Sequence, residues 1–161
     1  MYDYELPARP LCWHPEDVSP APLHTAATGK CYLAAQSRLF LEEYCRAGLP
    51  ALTPHTITDK ARLIEELGEV TRRGYAVARE EYYLGAGALA VPIQNEAGEF
   101  VAAVTVLPVT AEMTEENISR CLSLLRLAAN RLQPLLAEGI LDPTTFSEMP
   151  GRAPRGDGGI G

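Results

Sequence analysis

The chain has 161 residues, 47% of them hydrophobic and 22% charged, a balance that suits one folded domain with a core of its own. Its formal charge of −7, with 21 acidic side chains against 14 basic ones, works against a phosphate backbone, so no DNA binding by this chain alone is expected. Four cysteines without a CxxC pair exclude a zinc-finger pattern and read as buried thiols, no apolar run reaches membrane-spanning length, and no basic, apolar leader opens the sequence, which makes the cytoplasm the expected location.

Prolines at 7, 10, 15, 20 and 22 mark residues 1–21 as an irregular arm, within which "LCWH" has the composition of a short strand. The stretch "PLHTAATGKCYLAA" follows, with small and hydroxyl residues from Thr25 to Lys30 ahead of an apolar run. It has two readings: an ordinary cap, with Thr28 satisfying the first turn and Gly29 easing the bend, or a cradle in which free N–H groups at a helix start hold a small anion. Helical spacing of Leu33, Ala34, Ser37, Leu41, Tyr44 and Cys45 predicts one helix over 30–47, stopped by Gly48 and Pro50. A second helix is expected after a Thr58 cap, with Leu63, Ile64, Leu67 and Val70 on one face and Gly74 at its end. Strands are expected at 75–83, 87–94 and 99–108, the last two joined as a hairpin by "NEAG". Thr114 should cap a third helix through Ile118, Cys121, Leu122, Leu125, Leu127, Ala128 and Leu132, kinked or ended by Pro134. From residue 139 the Gly- and Pro-rich sequence reads as a disordered tail, and its "RGD" as coincidence.

Residues for catalysis are sparse. His14, His24 and His55 are the only histidines, and His24 reads as a residue that fixes its loop by hydrogen bonding. An enzymatic reading needs Cys31 or Cys12 as nucleophile with His24 as base; the ordinary role for Cys31 is a core thiol. Glu80 and Glu81 are adjacent, so in a strand they point to opposite faces and cannot share a substrate. "GAGALA" lacks the spacing of a dinucleotide fingerprint. No catalytic residue, metal site or cofactor is expected, and no function is read into the two lysines, Lys30 and Lys60.

Taken in order, "PLHTAATGK", "LAA", "HTITD", "LIEELGEVTRRGYAVAREE", "GAGALAVPI" and "GEFVAAVTV" resemble the effector-binding domain of the IclR family of bacterial transcription regulators, over residues 22–138. The resemblance implies an α/β (α+β) domain of GAF type, an antiparallel sheet with flanking helices and a small-molecule pocket. Family members sense organic or aromatic acids and act as oligomers on operator DNA. Here the DNA-reading winged helix-turn-helix and the first sheet strands are expected to be missing, unless residues 8–14 supply a substitute edge strand. Matching by block, the ligand positions fall on Ala27, Thr28, Gly29, Ala78, Ala88, Thr105 and Leu107. Ala27 stands where some members have glycine, Ala78 for a polar residue and Ala88 for a cysteine, while Thr105 and Leu107 replace two serine-like residues. Loss of polar groups favours a larger or more apolar carboxylate over a two- or three-carbon acid.

Two functions follow: a ligand-sensing module without its own DNA reader, or a ligand-independent interaction protein forming mixed dimers with a full-length regulator through the apolar faces of the helices at 30–47 and 114–132. The expected partners are a small carboxylate effector and a second protein chain, as homo- or hetero-oligomer, with no membrane.

Overall fold

The computed structural model describes residues 21–138; the arm at 1–20, the candidate edge strand at 8–14 and the tail from 139 lie outside the described residues. A single turn of 3-10 helix (Leu23–Thr25) leads into α1 (Ala27–Ala34), α2 (Arg38–Arg46) and α3 (Lys60–Arg73). Three strands follow, β1 (Ala76–Arg79), β2 (Gly87–Gln94) and β3 (Phe100–Val106), and then α4 (Glu115–Ala137). The result is an α+β fold with an antiparallel sheet in the order β1-β2-β3.

The run expected as one helix over 30–47 is two. Ser37 leaves helical geometry at ψ 155° and its hydroxyl accepts the Phe40 N–H at 3.2 Å, opening a new helix where apolar spacing alone runs straight on. Thr28 is not a cap either: α1 starts earlier, Ala26 holds the cap position without a side-chain bond, and Thr28 lies inside the first turn. Nor does Gly29 ease a bend. It sits within α1, where a Cβ would stand 2.1 Å from the Leu23 carbonyl oxygen, so its bareness lets α1 close onto the turn before it.

On α3 the cap is Asp59, not Thr58, its Oδ1 accepting the Arg62 N–H at 2.9 Å. Gly74, at φ 75°, closes the helix as expected. Leu63, Leu67 and Val70 are buried along one stripe, whereas Ile64 is exposed. α4 is capped by Thr114 and runs through Pro134 to Ala137, one turn beyond the expected end; so close to the C-terminus the missing N–H of proline costs a single ladder bond. Leu127, placed by spacing on the inner stripe, is 49% exposed.

The hairpin of β2 and β3 turns at Asn95–Gly98, with Gly98 at φ 79°. β1 and β3 are shorter than their apolar sequence suggests. β1 stops at Arg79 because Glu80 takes a left-handed φ of 57°, the one non-glycine among the described residues to do so. Period-two alternation then gives the sheet two unlike faces. Small residues, Ala76, Ala78, Ala88, Ala90 and Ala103, face α1 and let it approach closely. Larger ones, Val77, Leu89, Val91, Ile93, Val104 and Val106, meet Leu122, Leu125 and Ala129 of α4. A register shift between Ile93 and Gln94 pairs Gln94 with Phe100 and carries that ring to the α1 face, edge-on to Tyr32.

Side chains occupy the outer edge of β1: Arg73 Nε donates to the Tyr75 carbonyl at 2.7 Å and Lys30 Nζ to that of Val77 at 3.1 Å. Such capping denies the edge to another strand. The outer edge of β3 has no strand partner among the described residues.

Two glycine substitutions test this packing by chemical denaturation. Gly29→Ala, which drives a methyl into backbone, should cost at least about 2 kcal/mol, whereas Gly68→Ala, in open space on α3, should stabilise by about 1 kcal/mol. A tolerated Gly29→Ala would contradict the contact with Leu23.

Candidate functional site

Two of the buried polar residues, Lys30 and Glu81, meet in an ion pair. Lys30, in the second turn of α1, is 1% exposed. Its ammonium donates to Glu81 Oε1 at 2.6 Å and to the Val77 carbonyl at 3.1 Å, and forms an ion pair with Glu66 Oε1 at 3.6 Å. Glu66 also accepts from Arg73 at 2.8 Å, so α1, α3 and the end of β1 are joined by a chain of alternating charges. The left-handed turn at Glu80 is what sends Glu81 inward. It is held by Thr53 Oγ1, which donates to the Glu80 carbonyl at 2.6 Å, and Thr56 Oγ1, which donates to that of Glu81 at 2.7 Å. Glu80 itself points away, accepting the Gly85 N–H at 2.8 Å and standing 3.3 Å from His55 Nε2. The two glutamates diverge as expected, but through a turn and not through strand alternation. Burial holds the Glu81 acid above the usual carboxylate range, against the pull of Lys30.

His24 is fully buried. Its Nε2 faces the Pro50 carbonyl at 3.2 Å and must carry the proton, which leaves Nδ1 to accept from the Tyr44 hydroxyl at 2.8 Å. Both ring nitrogens are thus engaged in fixing the turn at 23–25 against α2 and its following loop. Burial, with a contribution from Lys30, holds the imidazole below its ordinary value although the Pro50 contact opposes this. Cys31 is a core thiol: burial pushes it up to about 11, and its Sγ lies 3.6 Å from the Ala90 carbonyl. A thiol held so far above neutrality, beside a His24 whose ring nitrogens are both engaged, is poorly suited to act as a nucleophile.

The expected ligand positions divide. Ala27, Ala78 and Ala88 meet in one buried cluster between α1 and the sheet. Thr105, paired with Ala90, continues that sheet face, and its hydroxyl donates to the Leu89 carbonyl at 2.9 Å. Thr28 and Gly29 stand in the first turn of α1, whose amides have no acceptor within the helix. Leu107, past the end of β3, is 62% exposed and stands outside the cluster. Lys30, Glu66 and Glu81 are what the sequence reading missed. The available signal was a lysine in an otherwise small and apolar helix start.

The family described as bacterial transcriptional regulator IclR C-terminal matches residues 19–133. The p-hydroxybenzoate hydroxylase transcriptional activator of Acinetobacter baylyi is 37% identical over 117 residues, 71% of this chain and 43% of that protein. The chain therefore spans less than half the length of this relative. Among solved structures, the IclR of Thermotoga maritima superposes with a TM-score of 0.66 at 36% identity, over 71% of this chain and 47% of its own. The inducer-binding domain of an Acinetobacter PobR double mutant, in complex with 3-hydroxybenzoic acid, gives a TM-score of 0.66 at 34% identity, over 75% of this chain and 77% of its own. No helix of the described residues is long and apolar enough to cross a membrane.

Breaking the buried pair should cost more than replacing it. Lys30→Met leaves two carboxylates facing each other and should lower stability by about 3 to 5 kcal/mol; adding Glu81→Leu should recover most of that loss, read by urea unfolding. His24 supplies a pH test. Its lowered folded value means that its contribution is complete above the unfolded value of about 6.5 and is lost as pH falls through the folded one. Glu81, raised by burial, acts in the opposite sense, its share being lost as pH rises through its folded value. The gap in melting temperature between wild type and His24→Gln should therefore narrow from pH 7.5 to pH 5; a constant gap would show that His24 does not titrate with unfolding.

Proposed function

This chain belongs to the IclR family of bacterial transcriptional regulators through their C-terminal, effector-binding type of domain, and from that premise we propose that it senses a small organic acid, aromatic or aliphatic. The observation that carries the reading is the meeting of the α1 N-terminus with an alanine-lined sheet face. The first-turn amides of Ala27, Thr28 and Gly29 would hold the carboxylate where the helix dipole is positive. Ala27 and Ala78 are sealed within the core, so the ligand body would meet Ala88, Thr105 and Leu107 from the open side. Alanine and leucine offer no hydrogen bonds, which favours an apolar or aromatic body over a glyoxylate-sized acid. A relative that activates a p-hydroxybenzoate hydroxylase gene and a neighbour that binds 3-hydroxybenzoic acid support the same ligand class.

On this reading no reaction is catalysed and no cofactor is used; binding shifts the population of one conformation, and the output lies in how a DNA-reading partner is held. A second reading, in which the chain pairs with a full-length regulator without any ligand, is favoured by Leu124 and Leu127, exposed on the outer side of α4, and by the edge of β3, which has no strand partner among the described residues.

Thermal unfolding with a panel of acids tests the sensor. At about a hundred times its dissociation constant a ligand adds about 2.7 kcal/mol, a midpoint shift of roughly 5 to 10 °C. Benzoate-sized acids should produce it and glyoxylate should not, and Thr105→Val should reduce the shift. A panel without effect, together with capture of a full-length IclR relative by the purified chain, would favour the second reading.

A further inference from the structure

At the outer edge of β1, between α3 and α4, lies an open cavity of about 730 Å³ that the proposed effector site does not use. Its inner end is the ion chain of Lys30, Glu66 and Glu81. Val77, Ile118 and Leu122 form an apolar wall, and Arg62 and Arg79 stand in the same lining. Arg73 and Glu115 also face it, so four cationic side chains oppose three carboxylates before His55 is counted.

Two features set this cavity apart from a solvated cleft. Glu81 is only 7% exposed and gives Oε1 to Lys30, while its Oε2 has no donor in hydrogen-bond geometry among the described residues, although the Arg79 backbone N–H also favours the charged carboxylate. Lys30 does not supply one: its ammonium donates to Glu81 Oε1 and to the Val77 carbonyl, and its remaining side faces Glu66 at 3.6 Å. A buried carboxylate oxygen without a donor is costly and calls for one. The second feature is unused positive charge. The Arg62 side chain has no partner among the described residues, and Arg79 donates once, to the Met113 carbonyl at 3.2 Å. The lining thus presents spare donors suited to an anion and one spare acceptor suited to a hydroxyl, with apolar surface between.

We propose that this cavity binds a hydroxylated aromatic acid, its carboxylate on Arg62 and Arg79, its ring against Val77, Ile118 and Leu122, and its hydroxyl donating to Glu81. The terminal torsion of a glutamate is soft, so the carboxylate turns Oε2 toward the incoming hydroxyl. Because Glu81 holds Lys30, and Lys30 holds α1, occupancy here bears on the helix whose first turn forms the proposed effector site. The two sites share no residue.

Amide NMR titration of the full chain with 3-hydroxybenzoate and with benzoate, in wild type and Arg62→Ala, tests the assignment. Arg62 is exposed and its side chain makes no hydrogen bond or ion pair among the described residues, so the variant should fold. The expected result is that 3-hydroxybenzoate moves the amides of Arg62, Arg79, Ile118 and Ser119. Benzoate, lacking the hydroxyl, should bind there about tenfold more weakly, and Arg62→Ala should lose about tenfold in affinity for 3-hydroxybenzoate. Equal binding of the two acids, an unchanged Arg62→Ala, or no shift at millimolar ligand overturns the proposal. Shifts confined to Ala27–Gly29, Ala88 and Thr105 would also overturn it while upholding the effector site. Shifts confined to the cavity would do the reverse.

Discussion

An ammonium shut away from water constrains this fold more than any apolar contact. Removing Lys30 from solvent carries a desolvation penalty of several kcal/mol, offset only if every donor finds an acceptor in good geometry. The partners of Lys30 come from three places far apart in sequence: the Val77 carbonyl on the edge of β1 and Glu81 beyond the end of that strand accept hydrogen bonds, and Glu66 on α3 adds a carboxylate at 3.6 Å. Supplying Glu81 requires the chain to leave the sheet at Glu80 through a left-handed conformation, and Thr53 and Thr56 hold the carbonyls of that turn. One buried charge thus sets where β1 ends, how α1 lies against α3, and why a threonine-containing loop packs beside the sheet.

The second organising feature is the inequality of the two sheet faces. Leucine, valine and isoleucine on one face form an ordinary aliphatic interface with α4, while alanine on the other admits the backbone of α1 at close range. Gly29 extends the same logic one layer further, since only a residue without a Cβ lets α1 lie on the turn at Leu23. Small residues that look like an empty loop in sequence are therefore packing residues first. Any role in ligand binding follows from that packing, because it is the backbone, not the side chains, that they bring forward.

How much was legible depends on how local the determining physics is. The hairpin at Asn95–Gly98, the glycine stop of α3 and the threonine cap of α4 are settled within a few residues, and the sequence shows them. The break between α1 and α2 is a contest between the Ser37 cap and a continuous apolar stripe, and spacing cannot decide it because the two short helices keep nearly the same stripe. Asp59 beside Thr58 poses the same difficulty, with two capping residues side by side and only backbone geometry to choose between them. Pro134 falls where a lost ladder bond matters little, and Leu127 lies off the stripe of Leu122, Leu125, Ala129, Leu132 and Leu136 that stays on the sheet.

By itself the sequence carried the family resemblance, which implies the α+β class, and the antiparallel hairpin with its polar turn, because motif blocks and turn chemistry are read over short range. Tertiary structure alone decided the place of Lys30. Nothing near it in the chain carries the opposing charge: its partners lie 36 and 51 residues away and face it only once α3 has packed and Glu80 has turned. A buried ion pair is a property of two distant positions and the dielectric between them, and that dielectric exists only after the core has closed.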